Sequence, residues 1–467
     1  MRCRRAPPAL LLLLLLLLLL LLQAPLLAAL DNGAAPVPPR GVTTWELFDF
    51  AVSDAKVRAL ADSMVATGLH NAGFDILWLD DGWPSCAAFS GAPGSSSCRT
   101  PAPRDANGEI VPDAGKFPDG ISGVADYVHQ RGLRFGIYSA PHAVTCGGFE
   151  GSLGHEAVDA ATFARWGVDA VKMDAGCRDD CSLLDGCIVS ALEKVRDGLN
   201  QTGRTMLFYV DMGNPTAGPK VYNPLQRGWP NSSMVQTHFA RTWPLFAANW
   251  YPSVANAVKI WFDRYDAWSS LMDNIHKQVN LAWFQGPGFF LHPDQMTIGQ
   301  GRFSTAESRS EVFLYAALAA PMFLSADPAA LSPELLALVT NPEVLAVNHD
   351  ADAVMASLVA SSPGGGGGGG GGADGRGAVD VWVKPMSDAS FVFVMVNRDA
   401  ELARNATAYF ADGGDGSSSD LFPAGAGAGV SAAVRDLGAR SDLGTFERSW
   451  TVTLAPHDAV MIRVRRL

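Results

Sequence analysis

The chain has 467 residues, a formal charge of −12 and 48% hydrophobic residues. That length exceeds one small core and points to two domains. The negative balance argues against partners such as nucleic acid or an anionic membrane surface and suits a neutral one.

The first element stands outside the fold. Arg2, Arg4 and Arg5 precede thirteen leucines, Leu10 to Leu22, and then "QAPLLAAL". A basic start, a short apolar core and small residues behind it describe a secretory signal peptide over 1–29, with cleavage near Ala29. The rival is a membrane anchor, which needs about 20 apolar residues, a length the run approaches if counted on to Leu30. Cys3 goes with this leader, leaving Cys86, Cys98, Cys146, Cys177, Cys181 and Cys187. An even count in an exported chain suggests disulfides, and six cysteines leave fifteen pairings open. "CRDDC" lacks the His and Cys partners of a metal site. No nucleotide or flavin signature occurs, so no cofactor and no metal are expected. Acceptor triplets for N-glycosylation begin at Asn200, Asn231 and Asn405.

From residue 40 onward, short apolar runs alternate with amphipathic stretches. The runs are "RGVTTWELF", "DILWLDD", "LRFGIYSA", "VDAVKMD", "TMLFYVD", "AVKIWFD", "GFFLHPD" and "PMFLSAD". Runs of β-branched and aromatic residues without strict alternation mark strands buried on both faces. Eight such units fit a closed (β/α)8 TIM barrel, placed over 39–332. A doubly wound open sheet is the alternative; it would carry a Gly-rich turn after its first strand, where "WELFDF" stands. Over 350–467 the texture turns to short β-rich runs ("DVWVKPM", "SFVFVMVNRD", "NATAYFA", "SWTVTLAP", "AVMIRVRRL") separated by turn residues, which predicts a C-terminal antiparallel β-sandwich. Nine glycines, Gly364 to Gly372, predict a disordered loop over 363–377.

The strand ends carry acids. Asp80 and Asp81 end the second run, Asp174 the fourth, Asp211 the fifth and Asp263 the sixth; Asp294 and Asp327 follow the seventh and eighth. In a barrel all these ends open on one face. The plainer alternative is that each Asp caps the helix behind it. Lys172 lies two residues before Asp174, so both side chains leave the strand on the same side, where a lysine needs carboxylate partners. Trp45, Trp78, Trp83, Tyr138, Trp261 and Trp268 fall near the same rim, although core filling suits Trp78 and Trp261. Acids for hydroxyls and aromatic faces for C–H bonds predict a sugar pocket. Two carboxyl groups are the common means of cleaving a glycosidic bond.

At "LDDGW", "RDANGEIVPDAGKFPDGISGVADYVHQRGLRFGIYS", "TCGGFEGSLGHEAVDAATFARWGVDAVKMD" and "HPDQM" the chain resembles the α-galactosidases, or melibiases, of glycoside hydrolase family 27 in clan D. The resemblance implies a (β/α)8 barrel with a C-terminal antiparallel β domain and a retaining mechanism through a covalent glycosyl-enzyme. It implies Asp174 as nucleophile and Asp263, in "FDRYDAW", as acid/base, with Asp266 and Trp268 as support. Trp45, Asp80, Asp81, Tyr138, Lys172, Lys259 and Asp294 are implied as substrate-binding, and Cys146–Cys177 as a disulfide bracing the loop after Asp174. The chain departs from the family pattern between the fifth and sixth strands, where "YVDMGNP" and a long stretch stand in place of Glu-Trp or Ser-Ala types. It departs again at Lys259, where an arginine is common, at Ala140 for Asp, and at "HPDQM" for Asn-Asp-Pro-Asp-Met.

The implied activity is release of terminal α-galactosyl residues from an oligosaccharide or glycoconjugate partner. Alternatives are the same mechanism on another galacto-configured sugar, as an α-N-acetylgalactosaminidase or β-L-arabinopyranosidase, or a non-catalytic sugar-binding barrel. The expected locations are the exterior or the lysosome or vacuole, reached by secretion. A homodimer is left open, and neither nucleic acid nor a membrane is expected as a partner.

Overall fold

The computed structural model describes residues 30, 32–92, 96–176, 180–181, 186–213, 250–279, 281–361, 379–410 and 431–467. The predicted leader, the glycine loop, Cys177, Asn231 and most of the long stretch after the fifth barrel strand lie outside the described residues.

In chain order the first ten strands are β1 (Arg40–Thr43), β2 (Ile76–Leu79), β3 (Cys86–Phe89), β4 (Cys98–Pro101), β5 (Arg134–Ser139), β6 (Ala170–Asp174), β7 (Leu207–Asp211), β8 (Ala257–Lys259), β9 (Phe290–His292) and β10 (Met322–Leu324). Eight of them form a parallel sheet in the order β10-β1-β2-β5-β6-β7-β8-β9. The remaining seam is closed by the chain just beyond β9. Met296 makes a parallel bridge to Leu324, its N–H donating to the Phe323 carbonyl at 2.7 Å. The sheet is a TIM barrel, and each of the eight predicted runs supplies one of its strands.

Strand period 2 sorts the side chains into two cores. Phe135, Ile137, Val171, Met173, Phe208, Val210, Val258 and Leu291 face the helices, among them Asp54–Ala66, Gly120–Gln130 and Glu156–Arg165. Ile76, Trp78, Ala170, Leu207, Tyr209, Ala257, Phe290 and Phe323 fill the barrel interior. Helix Thr305–Ala317 begins with a capping box, in which Ser304 and Glu307 each bond the other's backbone N–H.

The second domain comprises β11 (Ser357–Ser361), β12 (Val379–Pro385), β13 (Phe391–Asn397), β14 (Arg404–Tyr409), β15 (Ser431–Asp436), β16 (Ser441–Glu447), β17 (Ser449–Leu454) and β18 (Ala459–Arg466). An antiparallel sheet, β11-β12-β13-β18-β15-β16, faces the pair β14-β17 across a core of Val381, Val383, Phe393, Met395, Ala406 and Ala408. This is a β-sandwich. Alternate residues on its other face, Trp382, Val392, Val394 and Met461, join the core of the barrel domain. Arg309–Asp458 (2.6 Å) and His276–Asp380 (2.7 Å) rim that junction.

Several elements escaped the pattern reading. The β3–β4 hairpin has no apolar face to give a period, and Cys86–Cys98 staples it. β15 buries only Ala432 and Val434 and β16 is largely exposed, so neither carries a strong apolar alternation. The sixth barrel strand is shorter than expected: it ends at Lys259, and Asp263 lies four residues beyond it.

Close packing of β1 on β2 generates a prediction. A Cβ on Gly41 would sit 2.1 Å from the Ile76 carbonyl oxygen, which is backbone and cannot turn aside. Gly41→Ala should therefore destabilise by roughly 1–3 kcal/mol or more, visible as a lowered Tm; an unchanged Tm would contradict this packing.

Candidate active site

One pocket opens at the C-terminal ends of the barrel strands, enclosing about 490 Å³ including its mouth. Trp45, Glu46, Asp80, Asp81, Tyr138, Cys146, Lys172, Asp174, Asp211, Lys259, Asp263, Arg264, Asp294 and Gln295 line it. All the residues expected to be catalytic or substrate-binding, and Cys146, are among them, whereas the supporting Asp266 and Trp268 are not.

The strands deliver these groups in layers. On β6, Ala170 belongs to the apolar interior, while Lys172 and Asp174 line the pocket above it. β7 repeats the order with Leu207, Tyr209 and then Asp211, and β8 with Ala257 and Lys259. Parallel pairing puts Asp174 beside Asp211, and Asp211 beside Lys259. The interior thus passes from apolar to charged along the strands, with Lys172 one layer below the level shared by Asp174, Asp211 and Lys259, which accounts for a lysine inside a buried strand.

Two ammonium groups hold this acidic layer together. Lys172 Nζ donates to Asp80 Oδ2 at 3.0 Å and lies 3.9 Å from Asp211 Oδ2. Lys259 Nζ donates to Asp211 Oδ2 at 2.9 Å and to Asp263 Oδ1, and lies 3.2 Å from Asp294 Oδ2. Burial alone would lower both lysines, but the surrounding aspartates outweigh it and raise them, so both stay charged.

Backbone amides and neighbouring side chains fix the carboxylates. Asp80 Oδ1 accepts from the Asp81 N–H at 2.8 Å, and Asp81 accepts from Gly82 and Gly147 at 2.7 and 2.8 Å. Asp174 accepts from Gly176 N–H at 3.1 Å and from the Tyr138 hydroxyl at 3.2 Å. Asp294, at a φ of 75°, accepts from the Gln295 and Arg264 N–H groups, both at 2.7 Å. Burial pushes Asp174 up to about 6, opposed by Lys172 and assisted by Asp263. Burial likewise raises Asp81 to about 6 and lifts Asp211 strongly. Asp294 is held below the usual range: its burial is outweighed by Lys259 and the two amides.

Four pocket residues were missed as site residues: Glu46, Asp211, Arg264 and Gln295. Asp211 obeys the same strand-end rule as Asp174, so the signal was present. Glu46 and Gln295 meet only in three dimensions, where Gln295 Nε2 donates to Glu46 Oε1 at 2.9 Å. Burial and the nearby Asp294 raise Glu46. Arg264 is fully buried and ties the loop to helix Thr305–Ala317 through Glu311 and Tyr315.

Other rim candidates belong elsewhere. Asp327 caps the short turn Pro328–Ala330 and accepts from the Ser63 hydroxyl, as the capping alternative has it. Trp78 is barrel core, Trp83 packs edge-on against Phe163 and Trp166, and Trp261 is buried. Trp268 stacks on His457 of the second domain at 4.2 Å, and Asp266 accepts from the Arg302 N–H. Of the expected Cys146–Cys177 bridge, Cys146 is disulfide-bonded while Cys177 lies outside the described residues. Cys181 pairs with Cys187.

Residues 46–223 and 225–350 match the family described as alpha galactosidase A, and residues 376–464 match the alpha galactosidase C-terminal beta sandwich domain. Alpha-galactosidase of Cyamopsis tetragonoloba is 30% identical over 374 residues, 80% of this chain and 75% of that protein. Alpha-galactosidase A of Homo sapiens is 29% identical over 391 residues, 79% and 76% of the two chains. In fold, alpha-galactosidase I from Mortierella vinacea is similar with a TM-score of 0.71 at 22% identity, covering 93% of this chain and 98% of that one. A GH27 β-L-arabinopyranosidase from Geobacillus stearothermophilus reaches 0.70 at 19% identity, covering 93% and 97%.

The buried Arg264–Glu311 pair can be tested directly. Arg264→Met leaves Glu311 charged and unpaired, so it should cost about 3–5 kcal/mol. Arg264→Met/Glu311→Gln, which removes both charges, should recover part of that loss in a denaturant melt. Equal losses in both variants would show that packing, not charge, anchors the loop.

Proposed function

We infer the activity from one premise: this chain belongs to the alpha galactosidase A family, whose match spans most of its length. It is a retaining glycoside hydrolase that cleaves terminal α-galactosyl residues from oligosaccharides or glycoconjugates. The roles assigned to individual residues are our proposal. One observation carries it: Asp174 and Asp263 line a single pocket, the first half-buried and the second exposed.

Asp174, half-buried and fixed by Gly176 and Tyr138, attacks the anomeric carbon as a carboxylate and forms the glycosyl-enzyme. Asp263, its side chain 83% exposed at the mouth, meets the leaving oxygen and protonates it. It then takes a proton from the water that releases the sugar. Asp80, Asp81, Lys172, Lys259 and Asp294 take sugar hydroxyls, with Trp45 and Tyr138 as the aromatic wall. Water is excluded from the floor by the apolar interior under Lys172, which strengthens each of these contacts.

Export is part of the same proposal. The basic leucine-rich leader supports it, as do Cys86–Cys98 and Cys181–Cys187, since disulfides persist in oxidising compartments. Asn200 and Asn405 are exposed and open to glycosylation. Among the described residues no helix is long and apolar enough to cross a membrane.

A panel of nitrophenyl glycosides tests the substrate, with preference for an α-N-acetylgalactosaminide or a β-L-arabinopyranoside as the outcome that would reassign it. Asp174→Asn should abolish turnover with folding intact, because an amide is a poor nucleophile; full activity would remove Asp174 from the mechanism. Asp263→Asn should lose most on poor leaving groups, and an equal loss on all would remove Asp263 as the acid. The pH profile follows from burial. Asp174 attacks only when ionised, so kcat/KM should rise with pH through the region near 6. Asp81 sits in the same range, and Lys172→Met separates the two. Lys172 favours the ionised form of Asp174, so losing it should move the acidic limb to higher pH. A limb that stays in place would belong to another group.

A further inference from the structure

Lys259 closes β8, is 1% exposed, and has three carboxylates around one ammonium: Asp211, Asp294 and Asp263. These three are not equally dependent on it. Asp211 also accepts from the Gly213 N–H at 2.9 Å, and Asp294 from the N–H groups of Gln295 and Arg264. Asp263 is different. Its side chain is 83% exposed, and among the described residues Lys259 is its hydrogen-bonding partner, with no backbone amide reaching it.

The backbone at Asp263 is set independently. Trp261 and Arg264 are both buried and peg the loop on either side, while the stretch between β8 and helix Trp268–His276 has no regular structure. These pegs fix the Cα of Asp263 but leave its carboxylate free to turn, since an exposed aspartate samples several rotamers. A general acid must lie within hydrogen-bond reach of the oxygen it protonates. Something must choose the rotamer, and the contact in place is the Lys259 ammonium.

We propose that Lys259 is a positioning residue for Asp263, aiming its carboxyl across the pocket at the leaving oxygen, in addition to any contact with the sugar. This rests on the reading of Asp263 as the acid/base. A lysine suits the task because a compact ammonium with three donors can be shared among three acids, whereas a planar guanidinium commits its fork to one.

The test must separate positioning from charge balance, because removing Lys259 alone strands the buried Asp211. We would measure kcat/KM for Lys259→Met/Asp211→Asn, Asp211→Asn, Lys259→Arg and Asp263→Asn on aryl α-galactosides from phenyl to dinitrophenyl, with a thermal melt of each. The double variant removes the ammonium with one of its acids and guards against misfolding. It should lose roughly 10²-fold on the phenyl substrate, the scale of general acid catalysis, and only a few-fold on the dinitrophenyl one. Asp211→Asn alone should keep the wild-type dependence on leaving group, and Lys259→Arg should restore part of it. Equal loss on all substrates in the double variant, with selective loss in Asp263→Asn, would overturn the positioning role while leaving the acid assignment standing. The same selective loss in Asp211→Asn would also overturn it. If Asp263→Asn shows no selectivity, the acid assignment and the positioning role fall together.

Discussion

Two ammonium groups, Lys259 buried and Lys172 half-buried, make this pocket possible. Six aspartates and a glutamate line one small cavity, and two like charges about 4 Å apart repel by about 4 kcal/mol at an effective dielectric near 20. Lys172 and Lys259 sit among them on neighbouring barrel strands, bridged by Asp211. They oppose the burial that pushes Asp174 and Asp211 toward the protonated form. The lysines also depend on the acids, since burial by itself would lower them. Neither set is tolerable alone.

The barrel supplies what such an arrangement needs. Strand alternation places Lys172 two positions above Ala170, Asp211 above Tyr209 and Lys259 above Ala257, so the charged groups are supported from below by the apolar interior. His292, beside Lys259 on the neighbouring strand and bonded to Tyr209, is kept neutral by burial and by the two lysines. Loops after the strands then add groups that strands cannot: paired amides on Asp81 and Asp294, and the exposed Asp263. The second domain contributes indirectly. It packs on helix Thr305–Ala317, whose Glu311 holds Arg264, and Arg264 in turn donates its N–H to Asp294.

Differences in exposure divide the labour among chemically identical groups. Asp174, the proposed nucleophile, is half-buried beside a lysine and shifted upward. Asp263 stands at the mouth, where a leaving group and then water must arrive. Asp80, Asp81 and Asp294 are tied down by amides and face the pocket as fixed acceptors. Identical side chains acquire separate duties from what surrounds them.

Much of this was legible in the chain. Eight apolar runs, six of them ending on an acid, specify a parallel barrel and the face on which its chemistry lies, because period 2 and the C-terminal strand ends are local properties. Lys172 beside Asp174 was readable for the same reason. What stayed hidden was non-local. Nothing in "FDRYDAW" says that the strand stops at Lys259, that Arg264 turns inward to Glu311, or that Asp263 is left to a single ammonium. The pairing of Glu46 with Gln295 spans most of the barrel's sequence, and Asp327 satisfies the strand-end rule yet turns to Ser63. The order of residues thus determined the scaffold and its reactive face, while tertiary packing decided which acids meet, since that depends on distances no linear pattern encodes.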